Sequence, residues 1–135
     1  MEGSLSLRSS WGLGVLVSGA LLATPSVAAD SVELVGRWVL ESIGGVAVAP
    51  TADVYFQVDG DRIEGFDGCN RFGGSLTRGT ILSGQLGCEG DYVRLPLDLA
   101  DPATHLQQAV IAGDVLSLSL EDGPGVALFR RAARP

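Results

Sequence analysis

The chain has 135 residues, 46% of them hydrophobic, and a net charge of −7 in which every basic side chain is an arginine. That balance argues against nucleic acid and anionic membrane surfaces as electrostatic partners. Without a lysine there is no ε-amine for Schiff-base chemistry, and the length suits one small domain with a single core.

Residues 1–29 read as an export signal. Arg8 gives a weakly basic start, residues 11–23 an apolar run, Pro25 a break, and residues 26–29 a small-residue cleavage region. Cleavage after Ala29 leaves Asp30 as the new N-terminus, and Ala28 is the close alternative. An uncleaved anchor is the rival reading, but the apolar run falls short of the ~20 residues that span a bilayer. No cysteine lies near the cleavage point to carry a lipid. The expectation is a periplasmic or secreted domain over residues 30–135, with its core over 34–130 and no membrane anchor after cleavage.

Residues 37–43 have strand character and end at Gly44-Gly45. Beyond a loop through Pro50, Val54, Phe56 and Val58 alternate with Tyr55 and Gln57. Asp59-Gly60 predicts a two-residue hairpin turn, with residues 62–66 returning antiparallel. A glycine-rich corner follows, then short strands near 75–77 and 81–86, with glycines marking bends and bulges. Asp101 as N-cap and Pro102 at the first position predict a helix ended by Gly113, with Leu106, Ala109 and Val110 as its apolar stripe. In residues 115–120, Leu116, Leu118 and Leu120 point inward. A turn over 122–125 leads to a last strand over 126–130 and a frayed tail. About seven short strands and one helix define an α+β fold with a strongly bent, barrel-like antiparallel sheet.

The corner concentrates unusual residues. Cys69 sits there beside Asn70, the only asparagine, and Arg71. In an exported chain Cys69 and Cys88 pair naturally as a disulfide, and closing that loop contributes about 3 kcal/mol. A zinc site lacks ligands, with one histidine available, and nothing resembles Cys-x-x-Cys. Asn70 suits a turn that bonds local backbone, while Arg71 either presents its donors to an anion or pairs with an acid such as Asp67. Trp38, Tyr55, Phe56, Phe66, Phe72 and Phe129 fit a filled core or an aromatic-lined cavity equally well.

Catalytic patterns are thin. His105 is the only ordinary base and reads as a surface helix histidine, with no nucleophile elbow to serve. Asp59, Asp61, Glu64 and Asp67 read as solvated hairpin charge. Asp61 and Glu64 face opposite sides of a strand, which spoils a glycosidase pair, and Ile63 stands where a calcium loop needs a ligand. No catalytic residue, metal or cofactor is expected. The loop over 87–102 is a candidate partner-binding segment through Tyr92, Arg94 and Leu95.

With these residues assembled, the chain resembles the META domain, the family of the HslJ heat-shock protein, over residues 34–130. The resemblance is carried by GRWVLES at 36–42 with Trp38, and by Gly65-x-x-Gly68-Cys69-Asn70-Arg71-Phe72-x-Gly74. The later Cys88, GDVLSL at 113–118 and VALFR at 126–130 complete it. The chain departs at residues 84–88, where relatives commonly carry Thr-x-Met-x-Cys, and in having Pro96 and Pro102 where a longer helix is usual.

The resemblance implies a small envelope domain associated with heat shock, drug tolerance, motility or virulence, without an established reaction. At fold level it is similar to lipid-binding pilotins. The functional expectation is a non-catalytic, monomeric domain that supports the envelope stress response by binding an envelope protein or an apolar, lipid-like ligand. The alternative is a disulfide-tied periplasmic inhibitor or solute-binding module.

Overall fold

Alternation of apolar side chains makes strand β1 (Gly36–Ile43) the centre of the domain, because both of its edges are paired. The computed structural model describes residues 33–133 together with Gly3, Gly12 and Gly14, so the expected export signal lies outside the described residues apart from those glycines. On one side of β1 stand β2 (Val46–Ala47) and the meander β3 (Tyr55–Asp59), β4 (Arg62–Phe66), β5 (Arg71–Ser75) and β6 (Thr80–Ser83). On the other stand β9 (Val126–Arg131), β8 (Val115–Ser119) and β7 (Val110–Ala112). The order β6-β5-β4-β3-β1-β9-β8-β7, with β2 against β1, gives one antiparallel sheet of nine strands. The helix α1 (Pro102–Gln107) lies in the long connection from β6 to β7. The α+β class and the bent antiparallel sheet stand as expected. The sheet remains open, with β6 and β7 as its edges.

One face of the sheet carries the core. Trp38, Phe56, Ile63, Leu116, Leu118 and Phe129 are fully buried, and Phe56 meets Phe129 edge to face at 5.1 Å. Leu95, Leu97, Leu106 and Ala109, from the long connection, close the core from above. A β-bulge lets β1 serve this face along its whole length. Leu40 pairs with Phe129 and Ser42 with Leu128, which leaves Glu41 as the extra residue. The bulge resets the alternation, so Trp38, Leu40 and Ile43 all point to the core. The chain ends are joined at Arg131. Its guanidinium stacks on Trp38 at 4.3 Å and donates to the carbonyls of Val35 and Glu33.

Several boundaries move from their sequence-based positions. The hairpin turn is Gly60-Asp61, because Asp59 pairs with Arg62 and the φ of +59° falls on Gly60. Instead of strands at 75–77 and 81–86, β5 ends at Ser75 and β6 spans Thr80–Ser83. The helix keeps its Asp101 cap, which accepts from the Thr104 N–H at 3.3 Å, but it ends at Gln107. Residues 110–112 pair with β8 instead, and Gly113 serves the β7–β8 turn. Val110 is therefore an exposed strand residue rather than part of a helical stripe.

Candidate functional site

The corner between β4 and β5 is a four-residue loop, Asp67-Gly68-Cys69-Asn70, closed from within. The Asp67 carboxylate accepts from the N–H groups of Cys69 (2.8 Å) and Asn70 (2.6 Å), and the Asp67 N–H donates to the Asn70 carbonyl. This is an Asx turn, and it occupies the acid that sequence reasoning had offered to Arg71. Arg71 is exposed and makes no ion pair among the described residues. Gly68 has φ of +105°, and a Cβ there would lie 1.8 Å from the Val93 carbonyl oxygen. At Gly65 and Gly74 a Cβ would meet backbone oxygens at 2.3 and 1.8 Å. These glycines admit close neighbouring strands and the segment at 92–95. Phe72 is buried in the core and Phe66 is half-buried.

Asn70 acts as a substitute peptide group. The β5–β6 ladder pairs Phe72 with Ser83, and the Gly84 N–H donates to the Arg71 carbonyl at 3.0 Å. The next bonded step would pair Leu86 with the backbone of Cys69. The Asn70 carboxamide takes that place. Its Oδ1 accepts from the Leu86 N–H at 2.8 Å, and its Nδ2 donates to the Leu86 carbonyl at 3.2 Å. Immediately beyond, Cys69 and Cys88 are joined, with Cα atoms 5.8 Å apart. Corner, carboxamide and disulfide together fix the path of the chain as it leaves β6.

The chain then returns over the corner. The Leu95 N–H donates to the Asp67 carbonyl at 2.9 Å, and Leu95 and Leu97 enter the core. Leu95 is thus a core residue and not an exposed anchor, a correction forced by its hydrogen bond to the corner. Tyr92 is half-buried, and the exposed Arg94 lies over its ring at 5.4 Å. Cavities border this segment on two sides. The larger, an open groove of about 830 Å³, lies between residues 92–97, the β1–β2 hairpin and the turn before β9. Its lining is mainly apolar, including Val46, Val48, Val93, Leu97, Leu120 and Pro124, with Arg94, Glu121 and Asp122 as charged members. The smaller, about 260 Å³, lies against Asp67, Cys69 and Asn70.

His105 also lines the groove and is 5% exposed, so it is not a surface histidine. Its Nδ1 accepts from the Asp98 N–H at 3.0 Å, and its Nε2 lies 2.9 Å from the Ser119 carbonyl, to which it donates. The neutral Nε2–H tautomer satisfies both partners. The ring fastens the long connection to the end of β8. Sequence reasoning missed this role because both partners are backbone groups, which leave no side-chain signature. It also missed β2. The Gly44-Gly45 pair between Ile43 and Val46 is a two-residue hairpin signal that was there to be used.

Electrostatic perturbations lie away from the groove. Hydrogen bonds from Ser75 and Thr77, with the nearby Arg78 guanidinium, hold the Asp61 carboxyl below its usual range. Asp61 thereby organises the β5–β6 turn, and Glu64 pairs with Arg62 at 3.3 Å. Glu41 holds the Arg130 guanidinium above its usual value through a bond of 2.7 Å. No group of three or more histidine, cysteine, aspartate or glutamate side chains is placed to bind a metal among the described residues.

Fold and site together define a small antiparallel α+β domain, tied at one corner by a disulfide and opened on one side by an apolar groove. The META domain family model matches residues 32–133, and the chain belongs to that family. No curated protein and no solved structure matches it.

Proposed function

We propose that the chain is a non-catalytic, exported META domain that supports the envelope stress response by holding an apolar or lipid-like ligand, or an apolar segment of an envelope protein, in the groove. The observation that carries this reading is the groove itself, an apolar cleft of a size that suits a small-molecule ligand. Val46 reinforces it, because a valine 70% exposed at the groove wall is costly to leave in water. The non-catalytic part is supported by His105, whose two ring nitrogens are both engaged by backbone and so are not free to move a proton.

Native mass spectrometry of protein exported to a periplasm tests the reading. The expected result is a chain beginning at Asp30 that retains an apolar adduct, and Val46→Asp loses the adduct without altering the fold. Wild-type protein that retains no adduct and binds no fluorescent fatty acid would sink it.

A second reading, capture of another protein by the 92–97 segment, draws on the exposed Arg94 stacked over Tyr92, a pairing typical of interface anchors. It predicts that replacing Tyr92 and Arg94 with alanine removes partner capture and leaves the melting point unchanged.

A further inference from the structure

The two edges of the sheet are built differently. β7 stops after three residues at the Gly113-Asp114 turn, a short edge of the kind that resists pairing with other chains. β6 is followed by a stretch that stays in line to Leu86, because Asn70 and the disulfide hold it against the corner. Residues 79–88 contain no charged side chain and no proline. The usual protections of a free edge are absent. Leu82 and Leu86 stand on it 75% and 72% exposed.

The register shows what this edge offers. Gly84 donates to Arg71, so Thr80, Leu82 and Gly84 turn their backbone groups toward β5. Ile81, Ser83 and, by the same alternation, Gln85 turn theirs outward. Leu82, Gly84 and Leu86 share one face.

We propose that this edge pairs with the same edge of a second copy of the chain, antiparallel about a two-fold axis at Gly84, to make one sheet across both copies. In that register Ser83 exchanges backbone bonds with Gln85 of the second copy. Leu82 lies opposite Leu86 of the second copy, twice, and Gly84 on the axis places no side chain of its own between them.

Charge selects this partner and this direction. Arg78 precedes the uncharged stretch, and Glu89 and Asp91 follow it. Antiparallel pairing brings Arg78 of each copy to the acidic end of the other, whereas parallel pairing sets like charge on like. In a chain of net charge −7 this stretch is a place where two copies meet without repulsion. The monomer expected from the sequence gives way to a symmetric dimer. The groove is independent of this edge, since none of its lining residues lies within 79–88.

Sedimentation of the exported, disulfide-intact protein over a concentration series reads the association directly. The expected result is a concentration-dependent dimer. Ser83→Pro abolishes it, with the thermal midpoint unchanged at dilutions where the wild-type chain is monomeric, because that N–H points away from β5. Arg78→Glu, in an exposed turn outside the ladder, weakens dimerisation about tenfold, and adding Glu89→Arg recovers most of it. A monomer at every concentration overturns the proposal, including one whose edge instead captures an extended strand of another protein. So does a dimer that survives Ser83→Pro in a folded protein, or an Arg78→Glu defect that Glu89→Arg leaves unrepaired.

Discussion

The connection from β6 to β7 is fastened by opposite means at its two ends. Where it leaves β6, residues 84–88 are exposed, and a carboxamide and a disulfide hold them at the surface. Where it approaches β7, Leu95, Leu97, Leu106 and Ala109 are buried, and the engaged ring of His105 sits among them. The first end buries too little apolar area to hold itself, so it needs a covalent tie. The second is held by the hydrophobic effect and uses hydrogen bonds only to satisfy the backbone that burial strands. The groove lies against the buried end and the free sheet edge against the tied end.

That contrast can be broken at graded cost. The largest effect is expected at the buried end. Leu106→Ala, at a side chain 1% exposed, should cost about 4 kcal/mol in chemical denaturation. A loss below about 1 kcal/mol would mean that α1 does not help to close the core. At the tied end, Cys69→Ser with Cys88→Ser should cost about 3 kcal/mol, mostly through the freed unfolded chain. Coincident melting of oxidised and reduced protein would refute that account.

The two hydrogen-bonding side chains sharpen the comparison because they do similar work in different surroundings. His105→Ala strands the Asp98 N–H and the Ser119 carbonyl in a partly buried place and should cost about 2 kcal/mol. Asn70→Ala releases the Leu86 peptide into water and should cost only about 1 kcal/mol. Hydrogen exchange should then speed up at Leu86 alone, and equal losses in the two variants would erase the distinction.

The smallest effect is electrostatic. The fold lowers the Asp61 pKa from 3.8, so the unfolded chain binds that proton more readily. The stabilisation is present above that value and is lost as pH falls through the lower folded-state pKa. Asp61→Asn should flatten the acid limb of a stability–pH curve relative to wild type. An unchanged limb would show that the Ser75 and Thr77 bonds do not hold the charge in solution.

Much of the fold was legible because its signals are local. Alternation at Val54, Phe56 and Val58, and again at Leu116 and Leu118, predicts buried faces from a period of two. Asp101-Pro102 announces a helix start by cap chemistry that needs no partner. The helix end was not legible. Residues 110–112 suit a strand or a helix by periodicity, and pairing with β8 decided the matter. The bulge at Glu41 was hidden for the same reason, since it appears only in the register with β9.

For the candidate site the division is similar. Two cysteines and a run of glycines around Asn70 and Arg71 determined, from composition and spacing, that this corner bends and is tied, and the structure added how closely other backbone approaches it. Tertiary structure alone decided that Asn70 completes a ladder, that Leu95 is core, and that His105 is a fastener. It also decided that the β1–β2 hairpin and the turn before β9 meet the 92–97 segment across a groove. Each of these depends on a backbone group or a surface brought from far along the chain, and a linear sequence carries no local mark of what will arrive there.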